Sequence, residues 1–135
     1  MKKEKTIFIN GCFDILHRGH IELFKYASSL GNKLIVGIDS DSKVKNDKGL
    51  NRPFNCLQDR IAVLQSIKYI NQIISFETRE ELENLIKNIS PDILVVGSDW
   101  RGKVVVGGVF ATEVKFFERL DGYSTTKILE NSVNW

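Results

Sequence analysis

The chain has 135 residues, 42% of them hydrophobic and 27% charged. That composition supports a globular domain with a real core and excludes a disordered chain. A net charge of +2, from 19 basic and 17 acidic residues, lacks the concentrated basic excess of a nucleic-acid-binding domain, but leaves room for a local cationic pocket.

The first element is a short apolar, β-branched run from Thr6 to Ile9, closed by Asn10-Gly11. It reads as a strand buried on both faces. Asp14 to Leu16 leads into a His17-Arg18-Gly19-His20 turn, and a helix is expected from about Gly19 to Leu30, with Gly31-Asn32 as its stop. Lys33 to Ile38 reads as a second buried strand, parallel to the first because a helix connects them. Asp39 to Pro53 is polar and lysine-rich and is expected to be a long loop, of the kind that is functional or mobile. Leu57 to Ile67 is an amphipathic helix, Gln72 to Phe76 a strand, and Arg79 to Ile89 a helix ended by Pro91. Ile93 to Val96 is a strand closed by Gly97, and Val104 to Gly108 a break. Glu113 to Glu118 reads as a fifth strand, and Ser124 to Asn131 as a last helix with a Ser or Thr N-cap.

This alternation calls for an α/β domain over residues 1–135, Rossmann-like, with a mostly parallel sheet and helices on both faces. The two cysteines, Cys12 and Cys56, lie far apart and form no C-x-x-C pair; they read as reduced thiols. No stretch approaches the roughly 20 apolar residues of a membrane span, and the first residues do not resemble a signal peptide. The expectation is a cytoplasmic protein that engages neither membrane nor nucleic acid.

Ligands of open α/β sheets bind beyond the carboxyl ends of the strands. Four chain-distant polar clusters fall there. Gly11-Cys12-Phe13-Asp14 and the histidine turn follow the first strand, and Lys45 and Lys48 follow the second. Gly97-Ser98-Asp99-Trp100 follows the fourth, and Arg119 with Ser124-Thr125-Thr126 follows the fifth. His17 and His20 are the chain's two histidines. Three apart at a helix start, they can face one side together and donate hydrogen bonds to phosphate oxygens. Gly19 lets the backbone approach a ligand, and the helix N-terminus adds free N–H groups and a positive dipole end. A dedicated metal site built on the pair and Asp14 lacks a third clear ligand; Mg²⁺ carried in by a triphosphate suits the pattern better. The lysines read equally as solvated surface or as phosphate ligands. Ser124 to Thr126 read as a helix cap, or as phosphate ligands beside such a site.

These residues resemble the cytidylyltransferase-like nucleotidylyltransferases of the HxGH superfamily. The G-x-F-D-x-x-H-x-G-H signature stands as Gly11 to His20, and the closing S-T-T signature as Ser124-Thr125-Thr126. The likeness covers about residues 5 to 132. Asp99-Trp100-Arg101-Gly102-Lys103, Arg119-Leu120-Asp121-Gly122 and Ser66 to Ile70 are similar to glycerol-3-phosphate cytidylyltransferase. Ser40-Asp41, Lys48-Gly49, Arg52-Pro53-Phe54-Asn55 and Gly107-Gly108 are similar to the adenylyltransferase that activates heptose 1-phosphate. Weighting Arg119 and Asp99-Trp100 favours CTP with a phosphorylated polyol such as glycerol 3-phosphate; ATP with a sugar 1-phosphate is the alternative.

The resemblance implies in-line attack of an acceptor phosphate on the α-phosphorus, with pyrophosphate leaving and no covalent enzyme intermediate. It implies that His17 and His20 stabilise charge on the α-phosphate and bridging oxygen, and that Lys45 or Lys48 screens phosphates. It gives Arg119 and Ser124 to Thr126 to the β- and γ-phosphates, and Gly11, Cys12, Phe13, Gly19 and Asp99 to the nucleotide. Trp100 is assigned to the acceptor substrate. Arg60 either contacts substrate or pairs with Asp59 or another carboxylate. Relatives commonly form homodimers. A non-catalytic nucleotide sensor and a flavodoxin-like binding domain are the rivals, and the intact histidine pair argues against both.

Overall fold

The computed structural model describes residues 4–132. Its elements run β1 (Thr6–Gly11), α1 (Arg18–Ser29), β2 (Lys33–Asp39), α2 (Asp41–Lys48), α3 (Leu57–Gln65), β3 (Gln72–Phe76), α4 (Arg79–Ile89), β4 (Ile93–Gly97), β5 (Glu113–Phe117) and α5 (Thr125–Ser132). The five strands form one parallel sheet in the order β3-β2-β1-β4-β5. This is the Rossmann-like α/β architecture the alternation of elements predicts.

The layering follows from strand periodicity and crossover hand. Ile7 and Ile9 of β1 join Phe24 and Ala27 of α1 and Leu64 of α3 on one face. Phe8, between them, joins Leu82 and Ile86 of α4 on the other. The chain winds outward from β1 to β3, then crosses back to β4. With right-handed crossovers, that reversal puts α4 on the face opposite α1 and α3.

The reversal also opens the molecule. β1 pairs with β2 along its whole length, Thr6 to Gly11. It pairs with β4 only at Ile7 and Phe8. Beyond Phe8 the carboxyl ends of β1 and β4 part, and a crevice forms at the point where the strand order switches.

One segment departs from the sequence reading. Asp41 to Lys48, expected within a loop, is the helix α2. Ser40 caps it, its Oγ accepting the Lys43 N–H at 3.2 Å, and Gly49 closes it at φ 110°. Val44 is its only buried residue, so the helix carries no apolar stripe for periodicity to detect. Other boundaries differ by one or two residues.

Arg60, assigned to substrate by resemblance, is buried at 0% exposure. Its Nε donates to the Asn55 carbonyl at 3.0 Å, and Nη1 donates to the carbonyls of Cys12 and Asp39 at 2.8 Å each. Nη2 pairs with the Asp41 carboxylate at 2.7 Å. The alternative of an ion pair is therefore met by Asp41, not Asp59, and this guanidinium has no face left for a ligand. Arg60→Met would leave three carbonyls without their donor while conserving bulk. We expect it to lose about 3–5 kcal/mol of stability in urea unfolding, the scale of a broken buried charge network. A loss under about 1 kcal/mol would contradict the structural role.

Candidate active site

The crevice between β1 and β4 is a cavity of about 340 Å³. Ile9, Asn10 and Gly11 line it on one side, and Val95, Val96 and Gly97 on the other. His17, Gly19 and His20 enter from the start of α1, Lys48 and Arg52 from the segment after β2, and Trp100 from the turn after β4. Arg119, Tyr123, Ser124, Thr125 and Thr126 close it from the β5–α5 side. Four separate stretches of chain therefore meet in one space.

The two histidines are locked into the backbone of α1. His17 is its N-cap, and its Nδ1 accepts the Gly19 N–H at 3.0 Å. His20 completes a capping box, its Nδ1 accepting the His17 N–H at 3.2 Å. A ring nitrogen that accepts cannot carry the proton, so each neutral imidazole bears it on Nε2. Both rings thus keep one Nε2–H donor to spend on a ligand. The rings lie 4.0 Å apart between centroids.

This geometry explains the intervening glycine. A Cβ on Gly19 would sit 2.8 Å from His17 Cε1 and 2.9 Å from its Nδ1, closer than such atoms approach. Phe13 has a comparable part. It sits at φ 48°, which turns its ring beneath Gly11, where a Cβ would lie 3.0 Å from Cζ. The same ring meets His20 edge-on at 5.9 Å.

Burial lowers the pKa of both histidines. For His20 burial acts first, then the positive charge of His17, Lys48 and Arg119, and together they bring it to about 4. For His17 burial acts first and Arg119 second. Both rings are therefore neutral donors at physiological pH. Burial likewise raises the Cys12 pKa, which keeps its thiol protonated beside the cleft.

Asp14, at the end of the same turn, is not free to take a cation. Its oxygens accept the Phe54 N–H at 2.6 Å and the Asn55 N–H at 2.9 Å. Among the described residues no group of three His, Cys, Asp or Glu side chains could hold a metal ion.

Of the residues anticipated from sequence, Gly11, Cys12, Phe13, His17, Gly19, His20, Lys48, Trp100, Arg119 and Ser124 to Thr126 line the cavity. Lys45 lies on exposed α2 and does not. Asp99 stands outside the lining, where its carboxylate accepts from Arg119 Nη2 at 3.5 Å. Ser124 caps α5 through the Lys127 N–H at 3.0 Å, and Thr125 Oγ1 donates to the Ile15 carbonyl at 2.7 Å. The second contact staples α5 onto the histidine turn, so the N-termini of α1 and α5 converge.

Several lining residues escaped the sequence reading, Tyr123 and Arg52 among them. Tyr123 stacks on His17 at 6.0 Å; its position beside Ser-Thr-Thr was the available signal. Arg52 was read as part of the Arg52 to Asn55 stretch similar to the heptose 1-phosphate adenylyltransferase, with no role of its own.

Comparison with known proteins gives a consistent picture. The model of cytidylyltransferase-like domains matches residues 8–131. The bifunctional protein HldE of Campylobacter fetus is 47% identical over 123 residues, which span 91% of this chain and 27% of that protein. HldE of Helicobacter pylori strain Shi470 is 42% identical over 128 residues, 95% of this chain and 27% of that protein. The chain thus spans about a quarter of the length of these curated relatives. Among solved structures, a lipopolysaccharide core biosynthesis protein of Thermoplasma volcanium superposes with a TM-score of 0.68 at 23% identity, covering 90% of this chain and all of that one. A pantoate-β-alanine ligase of Francisella tularensis superposes with a TM-score of 0.60 at 17% identity, covering 96% and 69%. At those identities the likeness is one of fold.

The histidine geometry has a measurable consequence. His20 falls from an ordinary 6.5 to about 4 in the folded chain. Between those values the unfolded chain binds more protons, so stability drops as pH falls from about 6.5 towards 4. We expect His20→Gln to remove most of that dependence, and imidazole NMR to show both rings as Nε2–H tautomers at pH 7. A His20 titration near 6.5 would contradict the site described.

Proposed function

This chain belongs to the cytidylyltransferase-like family of nucleotidylyltransferases, and from that premise we propose that it moves AMP from ATP onto a sugar 1-phosphate such as heptose 1-phosphate, releasing pyrophosphate. The observation that carries the choice of donor is the identity of its relatives. Those of 42–47% identity are HldE proteins. The chain's own likeness to the heptose 1-phosphate adenylyltransferase falls on Ser40-Asp41, Lys48-Gly49, Arg52 to Asn55 and Gly107-Gly108. Three of those segments flank α2, and Lys48 and Arg52 line the cleft. The leaning towards CTP and a polyol phosphate rested on Arg119 and Asp99-Trp100. Arg119 faces the triphosphate in either reading, and Asp99 stands outside the lining, so that weight is smaller than the sequence suggested.

In this reading the triphosphate lies along the convergent N-termini of α1 and α5. Free N–H groups and two positive dipole ends meet the anion there. Arg119 and the Ser124 to Thr126 turn hold the β- and γ-phosphates, and Lys48 screens charge at the reacting phosphates. Mg²⁺ arrives as part of the substrate, bound by phosphate oxygens, since the cleft offers donors and no free carboxylate cluster.

The reaction breaks the bond between the α-phosphorus and the oxygen bridging to the β-phosphate. An acceptor phosphate oxygen forms the new bond, and pyrophosphate carries away the electron pair. The protein's part is placement and charge stabilisation. His17 and His20 donate Nε2–H to oxygens that gain charge in the transition state. As neutral donors they remain in that role across physiological pH.

We expect His17→Ala and His20→Ala each to lower kcat by at least ~100-fold while the fold survives, the scale of a lost oxyanion-type donor. Pyrophosphate release decides the substrates: ATP and CTP, each with Mg²⁺, against heptose 1-phosphate and glycerol 3-phosphate. Turnover confined to ATP with heptose 1-phosphate is expected. Preference for CTP with glycerol 3-phosphate would overturn the proposal.

A further inference from the structure

Arg52 lines the cleft, yet nothing in the chain uses it fully. Its side chain is 14% exposed. Its Nε is buried with no hydrogen-bond partner, the one such side-chain atom found among the described residues. A buried guanidinium donor left unsatisfied costs stability, so its persistence points to a partner that comes from outside. The nearest anion, Asp14 Oδ2, lies 3.8 Å from it, too far for a hydrogen bond. Asp14 is already engaged by the Phe54 and Asn55 N–H groups. It fixes the loop that carries Arg52 and leaves the guanidinium's donors open.

The location tells which ligand group this donor meets. Arg119, Tyr123 and Ser124 to Thr126 reach the cavity from the β4–β5 side of the switch point, while Lys48 and Arg52 reach it from the β2 side. The histidine turn, following β1, stands between them. In-line transfer requires the entering and leaving oxygens to lie on opposite sides of the α-phosphorus. With pyrophosphate held on the β5 side, the attacking phosphate must enter from the β2 side, where Arg52 waits. A guanidinium suits that task, because its planar fork matches two phosphate oxygens at once.

We propose that Arg52 is the acceptor-phosphate anchor: it grips the phosphate of the incoming sugar phosphate and aims one of its oxygens at the α-phosphorus. The proposal rests on the nucleotidyl-transfer reading above. Asp14 acts through it as a positioning residue, holding the loop through the Phe54 and Asn55 N–H groups and facing the guanidinium at 3.8 Å.

Steady-state kinetics with ATP, Mg²⁺ and heptose 1-phosphate tests this in Arg52→Gln and Arg52→Lys. We expect Arg52→Gln to raise the acceptor KM at least ~10-fold, to leave the ATP KM within about two-fold, and to keep the urea midpoint. Arg52→Lys should recover part of the loss, as a point charge without the fork. An equal rise in the ATP KM would move Arg52 to the donor and overturn the proposal, as would unchanged kinetics in Arg52→Gln. If wild-type protein turns over no acceptor, the function reading fails, and a second arm judges Arg52 alone. Inorganic phosphate is titrated into the protein saturated with a non-hydrolysable ATP analogue, while the Arg52 Nε–H resonance is followed by NMR. A saturable shift of that signal, absent in Arg52→Gln, supports the anchor. A signal indifferent to phosphate overturns it.

Discussion

The site depends on one buried guanidinium. Arg60 reaches from α3 to the carbonyls at the ends of β1 and β2, to the loop before its own helix, and to the first residue of α2. Strand ends expose carbonyls that the ladder no longer pairs, and burying them unpaired is costly. A guanidinium with five donors in a fixed plane can satisfy several at once. Arg60 does so at zero exposure, and thereby sets the spacing between the chain's exits from two adjacent strands. The turn after β1 is then held at both ends: Cys12 by Arg60, and Asp14 by the Phe54 and Asn55 N–H groups. The histidines follow directly from that turn. A charged residue that touches no ligand thus decides where the ligand donors stand.

The second constraint is electrostatic. A helix start needs acceptors for its free N–H groups, and here the acceptors are imidazole nitrogens. The cap commits each Nδ1 to the backbone, and that commitment puts the proton on Nε2. Structural and chemical roles are consequently not separable in this pair: the cap defines the tautomer that a phosphate would meet. Burial first, and cationic neighbours after it, hold the rings neutral, so the free cleft limits its own charge. In the proposed reaction, an incoming polyphosphate supplies the counter-charge and also receives the donors.

Legibility from sequence followed physical range. Alternating apolar runs and helical stripes are local, and they gave the sheet, four of the five helices and the edge where the site lies. α2 escaped because only Val44 anchors it; its signals were the Ser40 cap and Gly49, which are weaker than a stripe. The Gly11 to His20 run was legible because its residue types are unusual for packing. Arg60 was left open between substrate contact and an ion pair because an arginine at a helix start looks the same whether its guanidinium turns outward or inward. That direction is set by Cys12 and Asp39, contacts 48 and 21 residues away. Arg52 and Tyr123 stood inside or beside matched stretches, but nothing in the sequence gave either side chain a role. What marks them is an unsatisfied buried nitrogen and a stacked ring, which exist only once the chain is folded.

Strand order carries the last step. Because β1 lies between β2 and β4, the histidine turn must stand between two flanking walls built from different segments. The short β1–β4 pairing leaves a gap in front of it. One wall belongs to the β2–α3 connection and the other to the β4–β5–α5 connections. Each wall also braces the turn between them, the first through Asp41, Phe54 and Asn55 and the second through Thr125, so the positions free to vary are those outside these contacts. A lipopolysaccharide core biosynthesis protein and a pantoate-β-alanine ligase share this fold at 23% and 17% identity. A fold fixes where chemistry occurs, and side chains on its loops choose the substrates. Under the proposed reading, the centre of the cleft sets the kind of transfer and the two walls set what is joined.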